Sequence, residues 1–302
     1  MAKRNKGTVG VVGLGNMGGA FARHLAAAGW RVLGFDLDAA RKRAATRAGV
    51  EVVGDVATLA AAAPTIILSL PNVAALDATV AAIAQAKMPA RTIVETSTFA
   101  IDDKARAAEA LRGAGHVLLD CPVSGTGAQA ARKDIVIYAS GEKKKIAALK
   151  PLFAAFSRAA YDVGAFGNGS RMKYIANLLV TIHNVSAAEA MVLGIKSGLD
   201  PKMIYELIGA GVGSSRVFEV RGPMMVKDRY ENASMSIKLY QKDISVIDAF
   251  AHGLGVPTPL FTAALPVYAK AMEMGLGDSD TAAVCAALEK MAGVTRKRGK
   301  RR

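Results

Sequence analysis

Lys173 and Asn177 stand four residues apart in an apolar stretch, a spacing that projects an amine and an amide from one face of a helix. A lysine moves protons near neutral pH only where burial or a neighbouring positive charge lowers its pKa. Thr181 and Asn184 continue the same stripe, and the flanking Ile175, Leu178, Leu179, Ile182 and Val185 point to burial. A buried polar stripe is the wall of a site; a solvated one is only an edge. His183 falls on a different face and reads as an ordinary core or surface residue.

A second constellation lies at the start of the chain. The run Val9–Val12 leads into Gly13, Leu14, Gly15, Asn16, Met17 and Gly18, which open a helix. Gly13 permits a tight turn, Gly15 lets the backbone approach a pyrophosphate, and Gly18 lets the helix pack on the strand. The helix N-terminus then offers free N–H groups to phosphate. Alone this is a glycine-rich turn. Between a strand and a helix, with an acidic residue closing the next strand at Asp36, it becomes a dinucleotide fingerprint. A carboxylate at position 36 accepts from an adenine-ribose diol and repels a 2′-phosphate, which favours NAD. Arg41 and Lys42 follow closely enough to leave NADP possible.

The third is Asp120-Cys121-Pro122-Val123-Ser124-Gly125-Thr126-Gly127, after a strand ending at Asp120. In an open parallel sheet, ligands bind beyond the carboxyl ends of the strands, so this loop faces the cofactor crevice. A serine hydroxyl with consecutive loop N–H groups makes a carboxylate nest. Taken alone, the loop reads equally well as an ordinary strand-to-helix connection.

These residues need a scaffold, and the first half of the chain supplies one. Strand-like runs at Thr8–Val12, Arg31–Phe35, Thr65–Leu70, Thr92–Glu95, His116–Asp120 and Ile135–Ala139 alternate with alanine-rich helical stretches at Gly18–Ala28, Ala39–Ala48 and Ile101–Ala114. That alternation predicts an α/β fold with a largely parallel, Rossmann-like sheet covered on both faces. The pattern changes after Gly164. One long helix is expected over residues 170–197, capped by Asn168 or Ser170 and stopped by Gly198. Only helices follow, broken at Gly209–Gly213, Gly222-Pro223, Gly253–Pro259 and Gly275–Gly277. The expected organisation is a dinucleotide-binding domain over 1–166, an all-helical substrate and oligomerisation domain over 167–294 joined by the long helix, and a basic tail over 295–302.

Composition narrows the partners. The net charge is +14, but nine positive charges sit at Lys3, Arg4, Lys6, Arg296, Lys297, Arg298, Lys300, Arg301 and Arg302, leaving +5 for the rest. A solvated tail with no base-reading motif predicts no specific nucleic-acid partner. Cys121 and Cys285 are far apart, and His24, His116, His183 and His252 show no ligand spacing, so no metal site is expected. The stretch Val56–Leu70 is interrupted by Pro64, and residues 174–195 carry polar groups, so neither reads as a membrane span. The first strand begins too early to leave room for a targeting segment, and the expected location is cytoplasmic.

On four ordered segments the sequence resembles the β-hydroxyacid dehydrogenase family, of the 3-hydroxyisobutyrate dehydrogenase type. They are GLGNMG at Gly13–Gly18, DCPVSG at Asp120–Gly125, GNGSRMKYIAN at Gly167–Asn177 and KD at Lys242-Asp243. The resemblance implies a nicotinamide-dependent enzyme for a small hydroxy acid or its semialdehyde. It assigns the pyrophosphate to Gly13–Gly18, the nicotinamide side to Leu70, Pro71 and Thr98, and the substrate carboxylate to Ser124, Gly125 and Thr126. Lys173 is then catalytic and Asn177 a substrate ligand; Lys242 reaches the cofactor and Asp243 orients it. It also implies pairing through the helical domain, as a homodimer or homotetramer. Two departures bear on the substrate: the segment after Ser124 reads TGAQAARKD, and position 75 is Ala75. The alternatives are an imine reductase of related fold, disfavoured by Lys173 and Asn177, and a non-catalytic cofactor-binding module.

Overall fold

The computed structural model describes residues 6–231 and 233–296. The chain falls into two compact units that divide between Lys173 and Tyr174, inside the long helix. The sequence places the division at 166/167, about two helical turns before that point.

The first unit is built on strands β1 (Thr8–Val12), β2 (Arg31–Phe35), β3 (Glu51–Val52), β4 (Thr65–Leu68), β5 (Thr92–Glu95) and β6 (Val117–Asp120). They form one sheet in the order β3-β2-β1-β4-β5-β6, every neighbouring pair parallel. The order reverses between β1 and β4, which opens a crevice beyond the carboxyl ends of those strands. Alternate residues feed two apolar layers. Val9, Val11, Ile67, Val94 and Leu119 pack on one face with Phe21 and Leu25. Val12, Ile66, Leu68 and Ile93 pack on the other with Leu59 and Leu76. Burial on both faces explains the continuous β-branched runs.

The run Ile135–Ala139 does not join this sheet. It becomes β8 (Val136–Ala139) of a separate three-stranded sheet with β7 (Val123–Ser124) and β9 (Ala159–Asp162), in the order β7-β8-β9. The pair β7·β8 is antiparallel and β8·β9 parallel. The two sheets are stitched where Asp120 and Ser140 exchange backbone hydrogen bonds of 3.0 and 2.8 Å.

The long helix spans Asn168–Lys196. Gly198 ends it with φ +95°, the left-handed conformation glycine adopts without strain. Neither expected residue caps its start: the Asn168 amide donates to Val163 O, and the Ser170 hydroxyl donates to Asp120. The helix is long and apolar enough to cross a membrane by length and composition. Its polar stripe, however, is the buried side, with Thr181 and Asn184 fully enclosed, while Ile175 and Leu179 are about half exposed.

The second unit holds helices Pro201–Gly209, Arg216–Lys227, Ile237–Gly253, Pro259–Glu273 and Val284–Met291, with a 3₁₀ turn at Thr281–Ala283. The break expected at Gly222-Pro223 is absent; the helix Arg216–Lys227 runs through it. Pro223 has no N–H for the carbonyl four residues back, Glu219 O, and the Tyr205 hydroxyl donates to that oxygen at 3.1 Å. A side chain at Gly222 would strike the Tyr205 ring, so the close approach that lets this bond form also selects glycine.

Candidate active site

The glycine loop forms at the carboxyl end of β1. Gly13 has φ +88°, and its amide donates to Phe35 O at 2.8 Å. A Cβ there would stand 2.1 Å from Ser69 O, and one at Gly18 would stand 1.9 Å from Gly13 O. Only glycine closes this turn against β4. The helix Gly18–Ala27 has no side-chain cap, unlike helices Ala39–Arg47, Val56–Ala62 and Val73–Gln85, capped by Asp38, Asp55 and Asn72. No side chain therefore competes with an anion at this start, although the Gly19 amide already donates to Gly15 O at 2.8 Å. Leu14, Gly15, Asn16 and Met17 run across this start, with Asn16 exposed. These features fit a dinucleotide.

Asp36 is buried, and it does more than the spacing suggested. Its Oδ2 accepts the Leu14 amide at 2.7 Å and its Oδ1 the Asp38 amide at 2.8 Å, so it braces the glycine loop from β2. The Arg41 guanidinium lies 3.6 Å from Asp36 Oδ2 and 3.7 Å from where a Gly15 Cβ would be.

Leu70 and Pro71 follow β4, and Thr98 follows β5. The two loops are tied by the Leu70 amide donating to Ser97 Oγ at 2.9 Å. Ser124, half-buried, sits in β7. Gly125 follows with φ +135°, and Thr126 caps the short helix Gly127–Ala130, where the Thr126 amide in turn donates to Gln129 Oε1 at 3.0 Å. The Thr126 hydroxyl is thus engaged within its own turn. A Cβ at Gly127 would lie 3.1 Å from Asn16 Cβ, so the loop after β6 touches the glycine loop. Two of the three constellations read from the sequence therefore converge in the first unit.

Lys173 is buried at the end of that unit, one turn after Ser170. In the second unit, Asn177 donates to Asp243 Oδ2 at 2.9 Å, and Asp243 Oδ1 pairs with Lys242 at 2.9 Å. The Asn177 carbonyl accepts the hydroxyls of Thr181 at 2.9 Å and Tyr240 at 3.0 Å, and burial pushes the Tyr240 phenol up. Tyr240 carried no signal in the sequence beyond being a tyrosine two residues before Lys242.

Cys121 and Cys285 are buried and free, and burial pushes both up, Cys285 to about 12. Among the described residues no group of histidines, cysteines and carboxylates could hold a metal ion.

A parallel sheet with its switch point at a glycine loop, followed by a helical unit, defines a nicotinamide-dependent oxidoreductase. Residues 8–165 match the NAD binding domain of 6-phosphogluconate dehydrogenase, and residues 167–288 match the NAD-binding domain of NADP-dependent 3-hydroxyisobutyrate dehydrogenase. The chain is 32% identical to L-threonate dehydrogenase of Escherichia coli (strain K12) over 91% of its length and 93% of that protein's. It is 30% identical to 2-(hydroxymethyl)glutarate dehydrogenase of Eubacterium barkeri, covering 95% and 96%. The structure of 3-hydroxyisobutyrate dehydrogenase from Salmonella typhimurium superposes with a TM-score of 0.85 at 29% identity, covering 92% of this chain and 99% of that one. The chain belongs to the β-hydroxyacid dehydrogenase family and is an NAD(P)-dependent hydroxyacid dehydrogenase.

Proposed function

We propose that the enzyme interconverts a small hydroxy acid and its carbonyl counterpart, with Lys173 as the proton-transfer residue and NAD as the preferred cofactor. The relatives' substrates, L-threonate, 2-(hydroxymethyl)glutarate and 3-hydroxyisobutyrate, share a carboxylate with a hydroxyl one or two carbons away. Ser124, Gly125 and the backbone of Thr126 would hold that carboxylate. Asn177 would receive the substrate hydroxyl, and Lys242 would reach the cofactor.

The observation that carries this reading is the inward polar stripe: Lys173 and Asn177 are both buried, one turn apart, on a helix that leaves Ile175 and Leu179 about half exposed. The chain gives up apolar packing there, and a proton-transfer site explains the sacrifice. The cofactor, when bound, supplies the hydride acceptor or donor. The protein's own work is to take the hydroxyl proton at Lys173 Nζ during oxidation and return it during reduction, while the loop at Ser124 fixes the carboxylate. We also read the chain as cytoplasmic, which the two buried free thiols support.

The test is a screen of L-threonate, 3-hydroxyisobutyrate and 2-(hydroxymethyl)glutarate against alcohols that lack a carboxylate, with wild type and Lys173→Ala. Turnover of a carboxylate substrate should fall by about 10²–10⁴ in the variant, while NADH binds with an affinity near wild type. Wild-type turnover in Lys173→Ala would remove the lysine from the mechanism. A preference for alcohols without a carboxylate would remove the substrate class.

A further inference from the structure

Three fully buried charged residues lie in the first unit outside the groups assigned above: Glu95, Lys104 and Asp120. Lys104 lies on the helix Ile101–Gly113, Glu95 ends β5 and Asp120 ends β6. The Lys104 ammonium lies 2.6 Å from Glu95 Oε2 and donates to Asp120 Oδ1 at 2.8 Å and Ser97 O at 2.7 Å. Burial alone would push the Lys104 pKa down; the two carboxylates outweigh it and hold it above the ordinary lysine value. One buried cation thus fastens the carboxyl ends of two adjacent strands, together with the loop that leads to Thr98.

Asp120 carries the connection further. Its Oδ2 accepts the Ser170 amide at 2.8 Å and its Oδ1 the Ser170 hydroxyl at 2.9 Å. Ser140 Oγ accepts the Gly169 amide at 3.0 Å and donates to Asp120, with the main-chain oxygen at 2.9 Å and Oδ2 at 3.2 Å. Two carboxylates against one ammonium leave a net negative charge. The start of a 29-residue helix is where such a charge is favoured. Asp120 therefore caps the long helix from outside it. A Cβ at Gly169 would meet Tyr138 O at 2.5 Å and Asp120 O at 2.7 Å, so the helix start is pressed against the ends of β6 and β8.

The same residue opens the segment Asp120–Gly125 that bears Ser124, and it fixes Ser170, one turn before Lys173. We propose that Asp120, locked by Lys104, is a positioning residue that sets the Lys173 amine against the hydroxyl of a substrate whose carboxylate is held at Ser124. The inference rests on the roles proposed above for Lys173 and Ser124. Its chemical sense is that proton transfer tolerates little displacement, and a misplacement of about 1 Å costs about a hundredfold in rate. A cluster that served stability alone would be replaceable without effect on the chemistry of the folded fraction.

Ser170→Ala removes one hydrogen bond from Asp120 and keeps the backbone bond. Asp120→Asn keeps the volume and removes the charge. Both are assayed with whichever of the three hydroxy acids the wild type turns over, and NADH fluorescence titration counts the competent sites. Expected are about one NADH site per chain with Kd within about twofold of wild type, and kcat per NADH-binding site reduced about tenfold in Ser170→Ala and about a hundredfold in Asp120→Asn. The KM for the hydroxy acid should move far less than kcat. Should Asp120→Asn fail to bind NADH, Ser170→Ala and Ser140→Ala decide. An unchanged kcat per site, or a loss of activity that only tracks the loss of NADH sites, overturns the inference. Lys173→Ala is measured beside them. If it is inactive while the Ser170 and Asp120 variants turn over normally, the positioning role alone falls; if it is active, the proton-transfer reading falls and takes this inference with it.

Discussion

Asn177 donates a 2.9 Å hydrogen bond to Asp243, whose second oxygen holds Lys242 at the same distance. One carboxylate thereby aligns the amide that we propose meets the substrate and the ammonium that we propose reaches the cofactor. Asp243→Asn keeps the shape but lets only one of the two donors be answered. Steady-state kinetics should show kcat/KM lowered about 10–100-fold, with KM raised for both hydroxy acid and cofactor. An unchanged KM for both would show that the pair only packs the helix Ile237–Gly253.

The cofactor preference turns on Asp36 and Arg41. The buried carboxylate should repel a 2′-phosphate and make kcat/KM favour NAD, whereas Arg41, 3.6 Å away, should sustain a residual NADP activity. Arg41→Ala should abolish that residue of activity and leave NAD kinetics within about twofold. Asp36→Ala should narrow the preference and also raise the KM for NAD, because the Leu14 amide loses its acceptor. A wild type that prefers NADP would place Arg41 in control.

The basic tail over 295–302 was expected to be solvated, and Arg296 corrects that for its start. Its guanidinium donates to Glu289 Oε1 at 2.7 Å from Nε and to Val226 O at 3.0 Å, and its side chain is only 14% exposed. Residues 297–302 lie outside the described residues. A chain ending at Arg296 should melt like the full chain, while one ending at Gly293 should lose about 3 kcal/mol, since it leaves Glu289 buried without its cation. Calorimetry that finds both truncations alike would assign the clasp no energetic role.

Assembly follows from what the long helix and its neighbours leave outside. Leu193, Leu207 and Leu260 are each more than two-thirds exposed, an unusual amount of large apolar surface for an isolated chain. A homodimer or homotetramer with a symmetric apolar interface in the helical unit is expected. Light scattering at micromolar concentration should give twice or four times the chain mass, and Leu193→Glu should lower it. A monomer mass for the wild type would refute this.

His116 sets an acid limit. Its Nδ1 accepts the Arg91 amide at 3.1 Å, which requires an unprotonated nitrogen, and burial lowers its pKa from the ordinary 6.5. A depressed histidine contributes stability that is present above its unfolded pKa and is lost as pH falls through its folded one. The melting temperature should therefore decline as the pH falls below 6.5, and His116→Gln should flatten the decline. An identical slope in the variant would place the acid sensitivity elsewhere.

Spacing made the glycine loop legible, because Gly13, Gly15, Gly18 and Asp36 answer local geometric demands within about 25 residues. The buried cluster was not legible. Lys104 follows Asp102 and Asp103 on a helix and looks solvated, and its anchor Asp120 meets Ser170 across 50 residues. The strands β3 and β7 are two residues long, too short for alternation to register. Gly222-Pro223 looked like a break because the Tyr205 hydroxyl that answers the orphaned carbonyl lies on another helix. The apolar neighbours of Lys173 did suggest burial, but they divide: Val185 is buried beside the polar stripe, while Ile175 and Leu179 are about half exposed.

The buried polar stripe sets durability against turnover. Asn184 reaches Tyr268 and the Thr281 carbonyl, yet its own carbonyl oxygen is buried with no partner among the described residues, and Thr181 spends an interior position on a hydroxyl relay. Aliphatic residues of similar volume would relieve an unmet acceptor and fill the same space, so selection for heat resistance has its easiest gains along this stripe. Each such gain replaces a directional contact beneath Asn177 with a shape that can slide. A thermostable descendant with aliphatic residues at 181 and 184 would keep its fold and its cofactor while its substrate geometry drifts, so heat and catalysis must be screened together.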